Sequence, residues 1–299
     1  MGGVVAEWPQ KTVDGFETKV IRFRHSLPER PLFSDEGLVS VFDRYPREAL
    51  GIYTMGHDLK DWQSWRRGTA NGLNGEKLLD AVKDGRLWLN LRHANDHLKD
   101  FSDLCDEIAA EKEAHFKTRI LNRDLGLLVS SPSAQVFYHL DVPLSSLWQV
   151  RGHKQIWFYP RTEPFVEPAW LERCVHATAE GQMPFDPAWD EAAETFTMSP
   201  GDMVTWPQNL PHRVDNAPEM SVAVSMEYMT PRARVRANVL HANGVLRERF
   251  GWTPQIQDRL GPAMAAKLAV ASLHKAWTAR RRAAEPILPE SFRVETNPA

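Results

Sequence analysis

Pro200-Gly-Asp-Met-Val-Thr-Trp-Pro-Gln-Asn-Leu-Pro-His212-Arg-Val-Asp-Asn216 is the stretch on which the fold reading turns. Gly201-Asp202 supplies a tight turn, Met203 to Trp206 a short strand, and Pro207 to Asn209 a second turn. His212 then enters on the next strand. A turn–strand–turn–strand unit of this kind would bring His212 into a barrel from the adjacent strand, since each strand delivers alternate side chains to one face.

Working outward, the same texture extends from Leu125 to Tyr228. Leu127–Val129, Gln135–His139, Leu147–Val150, Gln155–Tyr159, Thr195–Thr197, Met203–Trp206 and Ser221–Met226 are short β-prone runs, many of them separated by Gly, Pro, Asn or Asp. Regular short strands predict a barrel or sandwich. Pro160 to Asp190, rich in Pro, Glu and Trp, reads as an insertion between strands, and specificity is expected to come from it and from residues 30–120. Residues 1–120 form a mixed α+β region expected to pack on the barrel. Thr18–Arg24 and Arg86–Leu91 read as strands there. A helix starts at Ser34, and 75–82 and 94–114 carry helical periodicity. Residues 121–230 are then the β-core. From 231 to 299 two amphipathic helices follow: Val235, Val239, Leu246 and Phe250 mark one face, and Leu260, Met264, Leu268, Ala271 and Trp277 another. The second helix is expected to end at Arg280-Arg-Arg. These helices predict either a cover for an open face or a homodimer contact.

Composition bounds the function classes. The chain has 299 residues, 42% hydrophobic and 25% charged, which suits a globular protein with ample core. A net charge of -3 gives no general positive field for nucleic acid. The two cysteines, Cys105 and Cys174, predict reduced thiols rather than a disulfide framework. No apolar run is long enough to span a bilayer, and the start lacks a signal-peptide pattern, so a cytoplasmic address is expected.

The chemistry begins at His139-Leu-Asp141. On a strand, residues i and i+2 face the same way, so both side chains can reach one point. Alone, the pair reads better as a surface His and Asp near a strand end. His212 adds a third metal-ligand candidate. Two imidazoles and a carboxylate on one face of an ion leave positions open, the ligand set of non-haem Fe(II) oxygenases.

The segment from Gly201 to Asn216 resembles the second signature motif of the cupin superfamily, with Gly201, Pro207, His212 and Asn216 on the pattern and Asn209 in place of its middle Gly. Asp141 stands where most cupins carry a second His, and Ser145 or Ser146 where they carry a Glu. That departure resembles the Jumonji-C-type Fe(II)/2-oxoglutarate-dependent oxygenases. Gly152-His-Lys154 followed by apolar residues and Phe158-Tyr-Pro160 is similar to the asparaginyl hydroxylase of the hypoxia response, in which a Lys in this context binds the distal carboxylate of 2-oxoglutarate. The resemblance covers about residues 85–230. It implies a mainly β chain with a double-stranded β-helix (cupin or jelly-roll) core, an α+β N-terminal region and C-terminal helices. It implies His139, Asp141 and His212 as metal ligands and catalytic centre, and Fe(II) with 2-oxoglutarate as cofactors. Val136 replaces a co-substrate-binding Thr and Trp88 a Tyr, so Tyr138, Asn90 and Ser225 are the groups expected to complete the pocket beside Lys154. Trp148, Trp157 and Trp206 are candidates for its walls.

The implied activity is hydroxylation of a C–H bond in a peptide, protein side chain or small metabolite. A metal-dependent cupin that does not use 2-oxoglutarate, and a non-catalytic cupin-like binding protein, are the alternatives.

Overall fold

In the computed structural model, which describes residues 3–8, 10–70, 72–176, 183–254, 261–278 and 289–294, the N-terminal part comprises β1 (Val5–Glu7), β2 (Ile21–His25), α1 (Asp35–Arg44), β3 (Gly51–Thr54), β4 (Arg66–Thr69), α2 (Gly75–Asp84), β5 (Trp88–Leu91), α3 (Ala94–His97) and α4 (Lys99–Phe116). The central part has β6 (Leu121–Ser130), β7 (Gln135–His139), β8 (Leu144–Arg151) and β9 (Lys154–Phe158). After α5 (Pro168–Val175) come β10 (Glu194–Met198), β11 (Asp202–Trp206), β12 (His212–Asn216) and β13 (Ser221–Met229). The chain continues through α6 (Pro231–Phe250), α7 (Pro262–Thr278) and β14 (Glu290–Arg293).

Alternation decides where the strands lie. In β13, Val222, Val224, Met226 and Tyr228 face one way into a large apolar cluster, while Ser225 and Glu227 face an interior cavity. In β6, Leu125, Leu127 and Val129 join the same cluster, and Asp124, Gly126, Leu128 and Ser130 line the cavity. A strand read this way is buried on its helix-covered face and partly buried against the cavity on the other.

The larger sheet runs β1-β2-β11-β8-β13-β6-β5-β3-β4-β14 and the smaller β10-β9-β12-β7. Leu147, Val204 and Ala223 of the larger meet Ile156, Phe158 and Val214 of the smaller in one buried cluster, so the two sheets face each other. Helices cover the outer side of the larger sheet: Leu38 and Phe42 of α1, Leu78 and Val82 of α2, and Phe101, Leu104 and Ile108 of α4 pack with Trp148 and Val224. The outer side of the smaller sheet is covered by the insertion between β9 and β10, whose Val166, Leu171 and Met183 pack on Tyr138 and Tyr159.

Local chemistry explains the element ends. The Ser34 hydroxyl accepts a hydrogen bond from the Gly37 N–H and starts α1, a cap worth about 1 kcal/mol. Gly152 turns β8 into β9 at φ +69°, against the backbone of Met220, where a side chain would clash.

Several expectations are corrected. The chain is mixed α and β rather than mainly β, since helices fill much of both flanks. The helix expected over 94–114 breaks at Leu98, whose extended backbone separates α3 from α4. Three strands of the N-terminal region, β3, β4 and β5, extend the larger sheet from β6. In the C-terminal helices Val239, Met264 and Ala271 are buried, but Phe250 and Trp277 are 64% and 53% exposed. Leu260 and Arg280-Arg-Arg lie outside the described residues. No helix among the described residues is long and apolar enough to cross a membrane.

Candidate metal centre

The first ligand candidate owes its position to a β-bulge. Across the β7–β12 pairing, His212 stands opposite His139 and Val214 opposite Val136, so β7 holds one residue more than its partner. Strict alternation from Val136 would turn residue 139 to the outer face. The extra residue reverses the parity, and Val136 and His139 both line the cavity.

Asp141 arrives differently. β7 ends at His139, so the carboxylate comes from the following loop and not from the same strand face as expected. The loop is pinned at its backbone: the Asp141 carbonyl accepts from the N–H and from Nδ2 of Asn209, both at 3.1 Å. Asn209 sits at φ +59°, in the left-handed region that Asn tolerates. Ser145 Oγ donates to Asp141 Oδ2 at 2.8 Å.

The three side chains converge. His139 Nε2 lies 3.9 Å from Asp141 Oδ1, and His212 Nε2 lies 3.7 Å from Asp141 Oδ2. Among the described residues this is the one group of three whose candidate ligand atoms all lie within 4.8 Å of one another. Nδ1 of His139 faces the Phe137 carbonyl at 2.7 Å, and Nδ1 of His212 the Leu210 carbonyl at 2.9 Å. A carbonyl only accepts, so each Nδ1 carries the proton and each Nε2 presents its lone pair to the centre. Burial, with the nearby His139 adding, pushes the His212 pKa down and favours the neutral ring, the state a metal ligand needs.

Lys154 opens β9 on the same interior. Its side chain is buried, and burial alone lowers its pKa to about 8. Among the described residues its ammonium has no hydrogen-bond or ion-pair partner. An unpaired buried cation costs free energy, and an anionic ligand removes that cost.

The cavity that holds these groups measures about 530 Å³, within the range of small-molecule sites. Asn90 and Ser225 line it beside His139, Asp141, His212 and Lys154, so six of the seven expected site residues come together. Tyr138 does not. On the outer face of β7, its hydroxyl donates to the Phe165 carbonyl at 2.8 Å and its ring lies 5.1 Å from that of Phe185. Burial pushes its pKa up. Of the three candidate wall tryptophans, Trp206 lines the cavity. Trp148 faces the helices, and Trp157 lies under the insertion with the Arg213 guanidinium 3.4 Å above its ring. The described part of 160–190 lies on that outer face and contributes no lining residue.

Arg213 ties the insertion down. Its Nη2 donates to Asp190 Oδ2 at 2.6 Å and its Nη1 to Asp215 Oδ2 at 2.8 Å. Sequence reasoning missed Asp124, Glu227, Arg92 and Asn216 as lining residues. The period-2 run Asp124, Gly126, Leu128, Ser130 was the available signal for the first of these. Asn216 Oδ1 and Trp206 Nε1, both in the lining, are buried without a hydrogen-bond partner among the described residues.

No family model and no curated protein matches the chain. Solved structures of YcfD from Escherichia coli do match its fold. One is 17% identical with a TM-score of 0.53, covering 91% of this chain and 68% of that one. A second, described as a ribosomal oxygenase, is 14% identical with a TM-score of 0.52, covering 92% and 68%. A third, in complex with cobalt and 2-oxoglutarate, is 15% identical with a TM-score of 0.50, covering 90% and 67%. At these identities the likeness is one of fold.

Proposed function

We propose that this protein is an Fe(II)- and 2-oxoglutarate-dependent oxygenase of the Jumonji-C type that hydroxylates a C–H bond. The observation that carries the reading is one cavity holding two Nε2 lone pairs, a carboxylate and a buried unpaired lysine. The donor set suits Fe(II), and the buried Lys154 ammonium suits the far carboxylate of a dicarboxylic keto acid. The strand order supports a double-stranded β-helix core, since β6 to β13 divide four and four between two facing antiparallel sheets. The solved YcfD structure with cobalt and 2-oxoglutarate gives the same fold a matching ligand pair.

His139, Asp141 and His212 would hold the metal, and Lys154, with Ser225 and Asn90 nearby, the co-substrate. Bound there, Fe(II) and 2-oxoglutarate supply oxidative decarboxylation coupled to oxygenation of a C–H bond. The protein's own part is orientation and exclusion of water. The Nδ1 hydrogen bonds aim both imidazoles, Ser145 and Asn209 hold the carboxylate loop, and Leu128, Val136, Ile156 and Val214 make the walls apolar. Lys154 gives the co-substrate one orientation by offering its distal end a buried ammonium at the start of β9.

YcfD is described as a ribosomal oxygenase, which favours a protein side chain over a free metabolite as substrate. We take 121–230 as the catalytic core, 1–120 as the region packed on it and 231–299 as a helical appendage. In that appendage the exposed Phe250, Trp252, Leu273 and Trp277 are the surface for a homodimer.

The test is anaerobic titration of the Fe(II)-loaded protein with 2-oxoglutarate, watching for the visible charge-transfer band of a chelated keto acid. The band should weaken in Lys154→Ala and vanish in His139→Ala. Iron binding without any band would leave a metal-dependent cupin of other chemistry, and no iron binding would leave a binding protein.

A further inference from the structure

Asp141 is held from behind by residues that never reach the cavity. Ser145 Oγ donates to Asp141 Oδ2 at 2.8 Å. The backbone carbonyl of Ser145 accepts from Thr205 Oγ1 at 3.0 Å. Thr205 has one hydroxyl proton, and that carbonyl takes it. Its oxygen therefore accepts from the Tyr228 hydroxyl, 3.1 Å away. The Tyr228 oxygen accepts in turn from Lys112 Nζ at 3.3 Å. Every donor in the chain thus points from Lys112 towards Ser145. Lys112, Tyr228, Thr205 and Ser145 are each at most 2% exposed, so bulk water cannot replace a missing member.

Lys112 itself is hard to explain by packing. It lies in α4, with its ammonium 4.5 Å from the Tyr228 ring centroid and 5.9 Å from that of Trp148. Among the described residues no carboxylate pairs with it, and burial lowers its pKa to about 7. An apolar residue of the same length would make a more stable core. Asp141 has a matching need. It sits in a loop beyond the end of β7, so no strand ladder fixes its side chain.

We propose that Lys112, Tyr228, Thr205 and Ser145 form a buried relay that sets the orientation of the Asp141 carboxylate at the metal centre, an inference that rests on the metal-binding reading above. Ser145 is the residue in contact with the ligand. Thr205, together with the β8 ladders to β11 and β13, holds the Ser145 backbone so that its hydroxyl aims at Oδ2. Tyr228 and Lys112 supply the donors that keep the Thr205 proton turned towards Ser145. All four are positioning residues.

Co(II) is the probe, because its d–d absorption reports ligand geometry without turnover. Titrations and thermal melts are run on the wild type, Ser145→Ala, Thr205→Val, Thr205→Ser and Lys112→Met. Ser145→Ala should bind Co(II) about 10- to 100-fold more weakly, as expected for loss of a group that orients a metal ligand. Thr205→Val should weaken binding by about 10-fold and shift the d–d bands, with Thr205→Ser restoring both. Lys112→Met should melt higher yet bind Co(II) more weakly, a divergence that a merely structural role does not produce. Because that substitution favours folding, it keeps the test open if Thr205→Val does not fold. Wild-type affinity and bands in Thr205→Val and Lys112→Met, or in Lys112→Met alone if Thr205→Val is unfolded, would overturn the relay. Failure of the wild type to bind Co(II) would instead refute the metal reading, before any variant is compared.

Discussion

Lys154→Met should make the metal-free, co-substrate-free protein more stable while disabling it. Burial holds the Lys154 ammonium at about 8 rather than the ordinary 10.5. At neutral pH that difference corresponds to about 3 kcal/mol of destabilisation. Because the folded value lies below the unfolded one, the unfolded chain keeps the extra proton between those two pH values, and stability rises with pH across that window. Below about 8 the penalty is complete, and above 10.5 it is gone. Methionine keeps the length of the chain without the charge. Urea unfolding of chelator-treated protein near neutral pH should show a gain approaching 3 kcal/mol, or about 1 M in midpoint for an ordinary slope. Affinity for 2-oxoglutarate should fall on the order of 100-fold, since its distal carboxylate then loses the Lys154 ammonium. An unchanged or lower midpoint would mean that the ammonium is solvated or paired in the folded state. The burial argument, and with it the reason to assign Lys154 to an anion, would then be wrong.

Lys112 should add a second pH-dependent contribution of the same sign, with stability rising from about pH 7 to 10.5, and Lys112→Met should flatten the urea midpoint across that range. Asp190→Asn should cost on the order of 2 kcal/mol in urea unfolding, because it leaves the 4% exposed Arg213 short of one partner while the Asp190 carboxylate is itself one-third exposed. No loss would show that Asp215 and the Trp157 ring satisfy Arg213 alone. Tyr138→Phe should cost about 1 kcal/mol for the bond to the Phe165 carbonyl and leave 2-oxoglutarate affinity unchanged, measured by the same anaerobic titration. A large affinity loss would contradict its outward orientation.

Much of the β-core was legible because strand signals are local. The run Gln135–His139 coincides with β7, and the turn chemistry at Gly201 and Asn209 sits where the backbone takes positive φ. The helix start at Ser34 followed from a side chain three residues from its partner. The N-terminal strands β3 and β4 were less legible, since each is four residues long and gains its place only by pairing along the sheet.

The sequence alone determined which residues could serve the site: His139, Asp141, His212 and Lys154 are chemically suited to it and stand at spacings that short strands and turns can bring together. Tertiary structure decided the rest. The bulge opposite Arg213, visible only when β7 and β12 pair, turns His139 inward and leaves Tyr138 outward. Asn90 and Ser225 reach one cavity because β5 and β13 both pair with β6. The hydrogen bonds from Lys112 to Asp141 join residues of α4, β8, β11 and β13 with a loop. The physical reason is range. Side-chain periodicity and turn preference act over a few residues, whereas parity after a bulge and the partners of a buried polar group are set by contacts far apart in the chain.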